Sequence, residues 1–291
     1  MIIDIHTHAS VHPYGVSKWG NRKRLTPEQL LEIMDFWGID KAVVLPIVSP
    51  EGAFEIERMD EALLVAERCP DRLIPFVNVD ARMFENSPAT DFTKVLEEYK
   101  ERGCKGLGEV TSKLYVDDPR VMKLYEACGN LDLPIIIHFT SPRGKYGLVD
   151  EIHLPRLERM LQKYPNTPFL GHAPAFWCEV DKYVTEEDRN KYPEGKIKEP
   201  GRVPELLEKY PNLYGDLSAE SGYNAVNRDW EFAAWFLDKF QDKLLFGTDY
   251  GLTDLDLRHV ELYNRFLEEG IINDRIYDKI MWQNATKLLR L

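Results

Sequence analysis

The chain opens MIIDIHTH, which puts His6 and His8 two residues apart at the end of its first apolar run. Ile2, Ile3 and Ile5 are β-branched and predict a strand, and on a strand every second side chain points the same way. The two imidazoles then share a face, with Thr7 on the other. Such a pair can clamp a metal ion, hold a phosphate, or sit on the surface. Four more residues extend the pattern: Glu109 in CKGLGEV, His138 in LPIIIHF, His172 in TPFLGHA and Asp249 in KLLFGTDY, each at the carboxyl end of a short β-rich run. A single histidine in a run such as IIIHF reads as a satisfied core residue. Four of the seven histidines at strand ends do not read that way together. Imidazole nitrogen with carboxylate oxygen suits Zn²⁺, Mn²⁺, Fe²⁺ or Co²⁺, and a cation offsets the cost of placing Glu109 and Asp249 near a core. These donors exceed the needs of one tetrahedral ion. Either two ions about 3.5 to 4 Å apart share Glu109 as a bridge, or one ion binds and the spare groups act as acid and base.

The elements that would hold these residues alternate along the chain. Strand-like runs begin at residues 2, 41, 72, 104, 133, 167, 212 and 243. Between them lie segments of helical period such as TPEQLLEIMDFWG, where Thr26 can cap and Pro27 can take the first helical position. Others are FTKVLEEYKERG, VMKLYEACGN, LPRLERMLQKYP, VPELLEKYP and WEFAAWFLDKF, several of them ending at Gly or Pro. Repeated strand-then-helix units imply parallel pairing, and eight of them imply a closed (β/α)₈ TIM barrel in one domain over residues 1–291, with a last helix near Asp274 to Leu289 closing the ring. The open doubly wound alternative has no G-x-G-x-x-G after its first strand. In a parallel barrel all six candidates fall on the carboxyl-end rim, where barrel chemistry resides.

Composition narrows the partners. With 44% hydrophobic and 30% charged residues the chain can bury a large core under a charged surface. A net charge of −12 argues against nonspecific nucleic-acid binding. Cys69, Cys104, Cys128 and Cys178 lie far apart with no C-x-x-C, which fits neither a disulfide framework nor a zinc knuckle and points to a reducing cytoplasm. The apolar runs are strand-sized, so no membrane span is expected, and a strand starting at Ile2 leaves no room for a secretory signal. The expected partner is a small-molecule substrate. Two connections are long for this fold: residues 9–25, with His12, Trp19, Arg22, Lys23 and Arg24, and residues 174–201, rich in charge and aromatics. Both follow strand ends and read as candidate lids, as solvated excursions, or as an oligomer contact such as that of a homodimer.

The order H-x-H on strand one, an acid on strand four, His on five, His in GHA on six and Asp in FGTDY on eight resembles the amidohydrolase superfamily. NLYGDLS before KLLFGTDYG, and NATKLLRL at the end, look like its amidohydrolase-2 branch, which includes relatives of aminocarboxymuconate-semialdehyde decarboxylase and lactone hydrolases. The resemblance implies a metal-dependent enzyme in which His6 and His8 hold the more buried ion. Asp249 is implied as a further ligand that orients or deprotonates water, and zinc as the expected ion. Many two-metal members carry a carboxylated lysine on strand four. Here Lys105 lies at that strand's start, and Glu109 takes the functional place. In the mononuclear decarboxylases the resemblance makes His172 a catalytic base rather than a ligand.

The chemistry expected of such a site starts from water, whose pKa falls from about 15.7 toward about 7 on a zinc-like ion. Asp249 takes the proton as hydroxide attacks a lactone, amide or ester carbonyl, then passes it to the leaving group. Arg143 in TSPRGKYG suits a substrate carboxylate, and Trp177 and Tyr250, with Trp19 and Phe176, are candidates to wall the pocket. Glu220, Ser221 and Tyr223 follow strand seven near the rim. The rival enzyme readings are a mononuclear decarboxylase and a polymerase-and-histidinol-phosphatase type phosphoesterase. The latter needs a late D-x-H, whereas Asp249 is followed by Tyr250 and Gly251. A purely structural metal would sit in a closed four-ligand shell, unlike an open rim.

Overall fold

The structure, a computed structural model, describes residues 1–13, 22–53, 56–253 and 258–291. Trp19 lies outside the described residues. The strand-like runs become β1 (Ile3–Thr7), β2 (Lys41–Val44), β3 (Leu73–Pro75), β4 (Leu107–Val110), β5 (Ile135–Thr140), β7 (Phe169–His172), β8 (Leu213–Asp216) and β9 (Leu244–Leu245), while β6 (Leu148–Val149) is an added two-residue strand on the end of β5. Every pairing among them is parallel. The ladders run β1-β2-β3 and β4-β5-β7-β8-β9. Single parallel bridges, Val77 with Leu107 and Thr7 with Tyr250, join the two sheets at both seams. The ring is the expected (β/α)₈ arrangement, with its ladders shortened at the seams.

Buried Asp4 fastens the β1/β9 seam. Its Oδ1 accepts the N–H groups of His6 and Thr248, each at 3.0 Å, and its Oδ2 accepts the Thr248 hydroxyl at 2.5 Å. Ile5 adds a backbone bond to Phe246. A one-residue slip of β1 would break these bonds and send His6 to the opposite face. Inside the ring, alternate strand residues such as Ile3, Ile5, Val43, Ile136, Leu170 and Leu245 form one apolar cluster, and the rest pack outward against the helices.

The helices follow the signals in the sequence. Thr26 caps Pro27–Trp37 in a reciprocal capping box with Gln29, and Gly38 closes it at φ 69°, a left-handed position that suits glycine. Asp118 and Asp229 cap Pro119–Asn130 and Trp230–Lys239 through their carboxylates. The last helix differs from expectation. It is interrupted by a π-helical turn at Lys279–Gln283 between Asp274–Asp278 and Asn284–Leu289. Asn284 then donates to the carbonyls of Gln241 and Leu244, tying the terminal helix to the start of β9.

Candidate metal centre

All six predicted donors converge. His6 lies in β1 and His8 just beyond it, Glu109 in β4, His138 in β5, and His172 ends β7. Asp249 lies farther from its strand than expected. The ladder of β9 stops at Leu245, and Asp249 sits in the following turn at φ 63°, its N–H donating to the His6 carbonyl at 2.8 Å. The left-handed conformation costs an aspartate little and turns its carboxylate back over β1. Donor atoms of His6, His8 and Glu109, of His6, His172 and Asp249, and of Glu109, His138 and His172 each fall within 4.8 Å of one another.

Hydrogen bonds outside the cluster fix what points into it. His8 Nδ1 is 2.7 Å from the Leu45 carbonyl oxygen, an atom that only accepts, so Nδ1 carries the proton. His6 Nδ1 is 2.6 Å from the Asp216 carboxylate and is protonated by the same reasoning. The two Nε2 atoms are then lone-pair nitrogens, yet they stand 3.2 Å apart. Around them Asp249 Oδ1 is 3.5 Å from His6 Nε2 and 3.1 Å from His8 Nε2, and Glu109 Oε2 is 3.6 Å from each. Acceptors this crowded need positive charge among them, either a proton or a metal ion.

The electrostatics agree. Burial would push the His6 imidazole down, but the carboxylates of Asp216 and Asp249 hold it well above its ordinary range. Burial would raise the acids, yet His138 and His6 keep Glu109 well below the carboxylate range, His6 and His8 hold Asp249 down, and His6 and His172 hold Asp216 down. Burial lowers His138, against the pull of Glu109. Carboxylates held ionised among these imidazoles need a compensating positive charge, and Glu109 and Asp249 with the four imidazoles offer the nitrogen and oxygen donors that suit a divalent cation.

Above the centre opens a cavity of about 350 Å³ with His138, His172 and Asp249 among its lining. Arg143 and Lys145 reach it from the segment after β5, as does Tyr146, whose ring lies 4.4 Å from that of His138. Asn190 and Tyr192 reach it from the 174–201 excursion, and Asn190 Nδ2 donates to Ser141 Oγ at 2.6 Å, joining the two walls. Ser221 also lines the cavity, whereas Tyr223 packs on His259. Two expected substrate contacts are corrected. Trp177 is 1% exposed and gives its indole N–H to the Asp216 carbonyl at 2.8 Å, so it supports β8 from behind. Tyr250 is buried, with its hydroxyl accepting from Trp37 Nε1 at 2.8 Å. Both are large rings next to a strand end, where core packing outweighs display to solvent. Phe176 is likewise core, and Arg24 is committed to Glu57 at 2.9 Å. The sequence reading missed Asp216, although in NLYGDLS it stands at a strand's carboxyl end as the predicted donors do. It also missed Tyr146, Asn190 and Tyr192.

The family model described as Amidohydrolase matches residues 3–291. The chain belongs to the amidohydrolase family. Among solved structures, this amidohydrolase is similar to a probable 2-pyrone-4,6-dicarboxylic acid hydrolase from Acinetobacter baumannii with citric acid bound (TM-score 0.58, 15% identity, 100% of this chain and 99% of that one). It is similar to 5-carboxyvanillate decarboxylase from Novosphingobium aromaticivorans with bound manganese (0.60, 17%, 100% and 97%). It is also similar to a 2,6-dihydroxybenzoate decarboxylase complexed with 2,6-dihydroxybenzoate (0.57, 16%, 92% and 89%). At these identities the likeness is one of fold. No curated protein matches the chain. Among the described residues no helix is long and apolar enough to cross a membrane.

Proposed function

We propose that this amidohydrolase is a metal-dependent hydrolase that opens a lactone, amide or ester of a small, carboxylated substrate. The observation that carries the reading is the reach of Glu109. One oxygen is 2.6 Å from His138 Nδ1 and 3.5 Å from His172 Nε2, and the other is 3.6 Å from His6 Nε2 and from His8 Nε2. A carboxylate so placed suits two cations, one with His6, His8 and Asp249, the other with His138 and His172. Zinc fits this nitrogen-and-oxygen set, as do Mn²⁺, Fe²⁺ and Co²⁺. Such ions supply the positive charge that favours water deprotonation and polarises a carbonyl. Asp249, whose side chain is 31% exposed beside the cavity, accepts the water proton at Oδ1 and returns it to the leaving group. Arg143 pairs with the substrate carboxylate and orients the ring or chain that bears it.

A second reading, a mononuclear decarboxylase, draws support from His172. Its Nδ1 faces Asp216 at 3.3 Å and Ser218 Oγ at 3.0 Å, which turns Nε2 toward Glu109 and the centre, where the imidazolium form would present an Nε2–H to a product carbon. Two of the structurally similar proteins carry decarboxylase names. The deciding experiment measures metal per chain in the wild type and Glu109→Ala, together with product analysis on lactones, amides, esters and aromatic acids. Two ions falling to one, with turnover of a lactone, amide or ester and no carbon dioxide, supports the hydrolase. One ion unaffected by the substitution, with carbon dioxide released, overturns it in favour of the decarboxylase.

A further inference from the structure

An imidazole offers a lone pair at Nε2 only if its proton is held at Nδ1, so the partner of Nδ1 governs the ligand. For His8 that partner is a backbone carbonyl. For His6 it is Asp216 Oδ2, and the same oxygen stands beside His172 Nδ1, whose hydrogen bond goes to Ser218 Oγ at 3.0 Å. Asp216 Oδ2 lies 2.6 Å from His6 Nδ1 and 3.3 Å from His172 Nδ1. The two rings lie against each other, with centroids 4.3 Å apart and planes at 38°, so their Nδ1 edges meet at this carboxylate. The other oxygen, Oδ1, accepts the Ser218 N–H at 3.0 Å, which fixes the rotation of the group. Asp216 is 0% exposed and does not line the cavity, so it acts through the imidazoles.

We propose that Asp216 is a positioning residue that holds His6 and His172 together as Nδ1–H rings, aligning the donors of both halves of the metal centre. Ser218 Oγ, 3.0 Å from His172 Nδ1, cannot replace it, because a hydroxyl either accepts from Nδ1–H or donates to bare Nδ1. A carboxylate only accepts. The consequence for metal rests on the proposed metal centre; the proton placement does not.

The substitution that separates this role from simple packing is Asp216→Asn. Since Oδ1 is committed to the Ser218 N–H, the new amide NH₂ faces the two Nδ1 atoms and donates to them. That drives each ring proton to Nε2, where it blocks a ligand. Two measurements apply, one on ¹⁵N-histidine-labelled protein by long-range ¹H–¹⁵N correlation and one of Zn²⁺ affinity by chelator competition. The expected result is Nδ1 protonated on both rings in the wild type, Nε2–H rings in Asp216→Asn, and zinc affinity lowered on the order of 10- to 100-fold. Ser218→Ala is expected to keep both rings as they are and zinc binding within about twofold of wild type, since the carboxylate remains. Bare Nδ1 on either ring of the wild type overturns the assignment even if the variant does not fold, and so does unchanged zinc affinity in a folded Asp216→Asn. A wild type that takes up no zinc would defeat the metal reading instead, and the nitrogen shifts alone would then decide the role of Asp216.

Discussion

Glu109 touches His138 Nδ1 at 2.6 Å with one oxygen and stands 3.6 Å from the Nε2 atoms of both His6 and His8 with the other. Its two oxygens thus face the two groups of imidazoles separately. Removing it in Glu109→Ala leaves one group with His6, His8 and Asp249 and the other with two nitrogens alone. Three ligands hold an ion and two hold it poorly. The expected outcome is two ions per chain in the wild type and one in the variant, read by elemental analysis of protein purified without chelators.

Asp249 differs from Glu109 in facing the cavity, and its Oδ1 is 3.1 Å from His8 Nε2. An amide at this position still offers an oxygen as a ligand but no longer accepts a proton. We expect Asp249→Asn to retain at least one ion and lose about 10²- to 10⁴-fold in kcat, the usual worth of a positioned base. A variant that keeps both metal and wild-type kcat would leave Asp249 no part in proton transfer.

How much of this was legible in the sequence depends on what each residue answers to. His6, His8, Glu109, His138 and His172 could be placed because strand period and strand ends are local properties. Asp216 occupies the same kind of position but sits behind the ring of donors, where only the fold, with His172 on the neighbouring β7 and His6 reaching across from β1, reveals its partners. Trp177 and Tyr250 were misjudged for the complementary reason. An aromatic beside a strand end can face the cavity or the core, and the choice is made by Asp216 and Trp37, residues distant in the chain. Asn190 and Tyr192 belong to an excursion whose return path, an antiparallel bridge between Asp181 and Pro200, has no periodic signature.

Arg143 lines the cavity close to Lys145, and its backbone N–H is tied to Ser141 Oγ at 3.2 Å. Lys113 adds a hydrogen bond to the Gly144 carbonyl, so the segment that presents the guanidinium is held at two points. A pairing made equally in ground and transition states appears in KM. Arg143→Ala is expected to raise KM for a carboxylated substrate by roughly tenfold or more, with kcat little changed. The uncharged methyl ester of that substrate serves as the control, and an equal loss on both would show that Arg143 does not read the carboxylate.

The cavity wall formed by residues 174–201 is anchored by Arg189 and Glu179, both 0% exposed and 3.4 Å apart. Arg189 Nη1 also donates to the Asp150 carbonyl at 2.8 Å, and Glu179 accepts the His153 N–H at 2.7 Å. Breaking a buried pair from one side strands a charge. Glu179→Ala is therefore expected to destabilise by about 3 to 5 kcal/mol. The double replacement Glu179→Leu with Arg189→Met is expected to recover much of that loss, because it removes both charges. Urea unfolding of the two singles and the double would measure the coupling, and strict additivity would mean that the pair does not interact.

Asp150 gives a stability trend with a definite sign. It is buried beside the start of helix Pro155–Lys163, where its oxygens accept the N–H groups of Glu151, Arg156 and Leu157 at 2.8, 3.1 and 2.8 Å. Burial outweighs these bonds and pushes its carboxyl from 3.8 up to about 7. A raised carboxyl means that the folded chain holds a proton that the unfolded chain has released. Its contribution is complete below the unfolded value of 3.8, declines as pH rises through that window, and is gone above about 7. Asp4, also raised to about 7 by burial, acts in the same direction. Unfolding free energy attributable to these two acids therefore falls between pH 4 and pH 7. In Asp150→Asn the Leu157 N–H loses its acceptor, so the variant is expected to be less stable than the wild type at pH 5. It lacks the titration, so its deficit is expected to shrink or reverse by pH 8. Denaturant unfolding of both proteins at the two pH values tests this, and a deficit that stays constant would mean that Asp150 is ionised in the folded chain throughout.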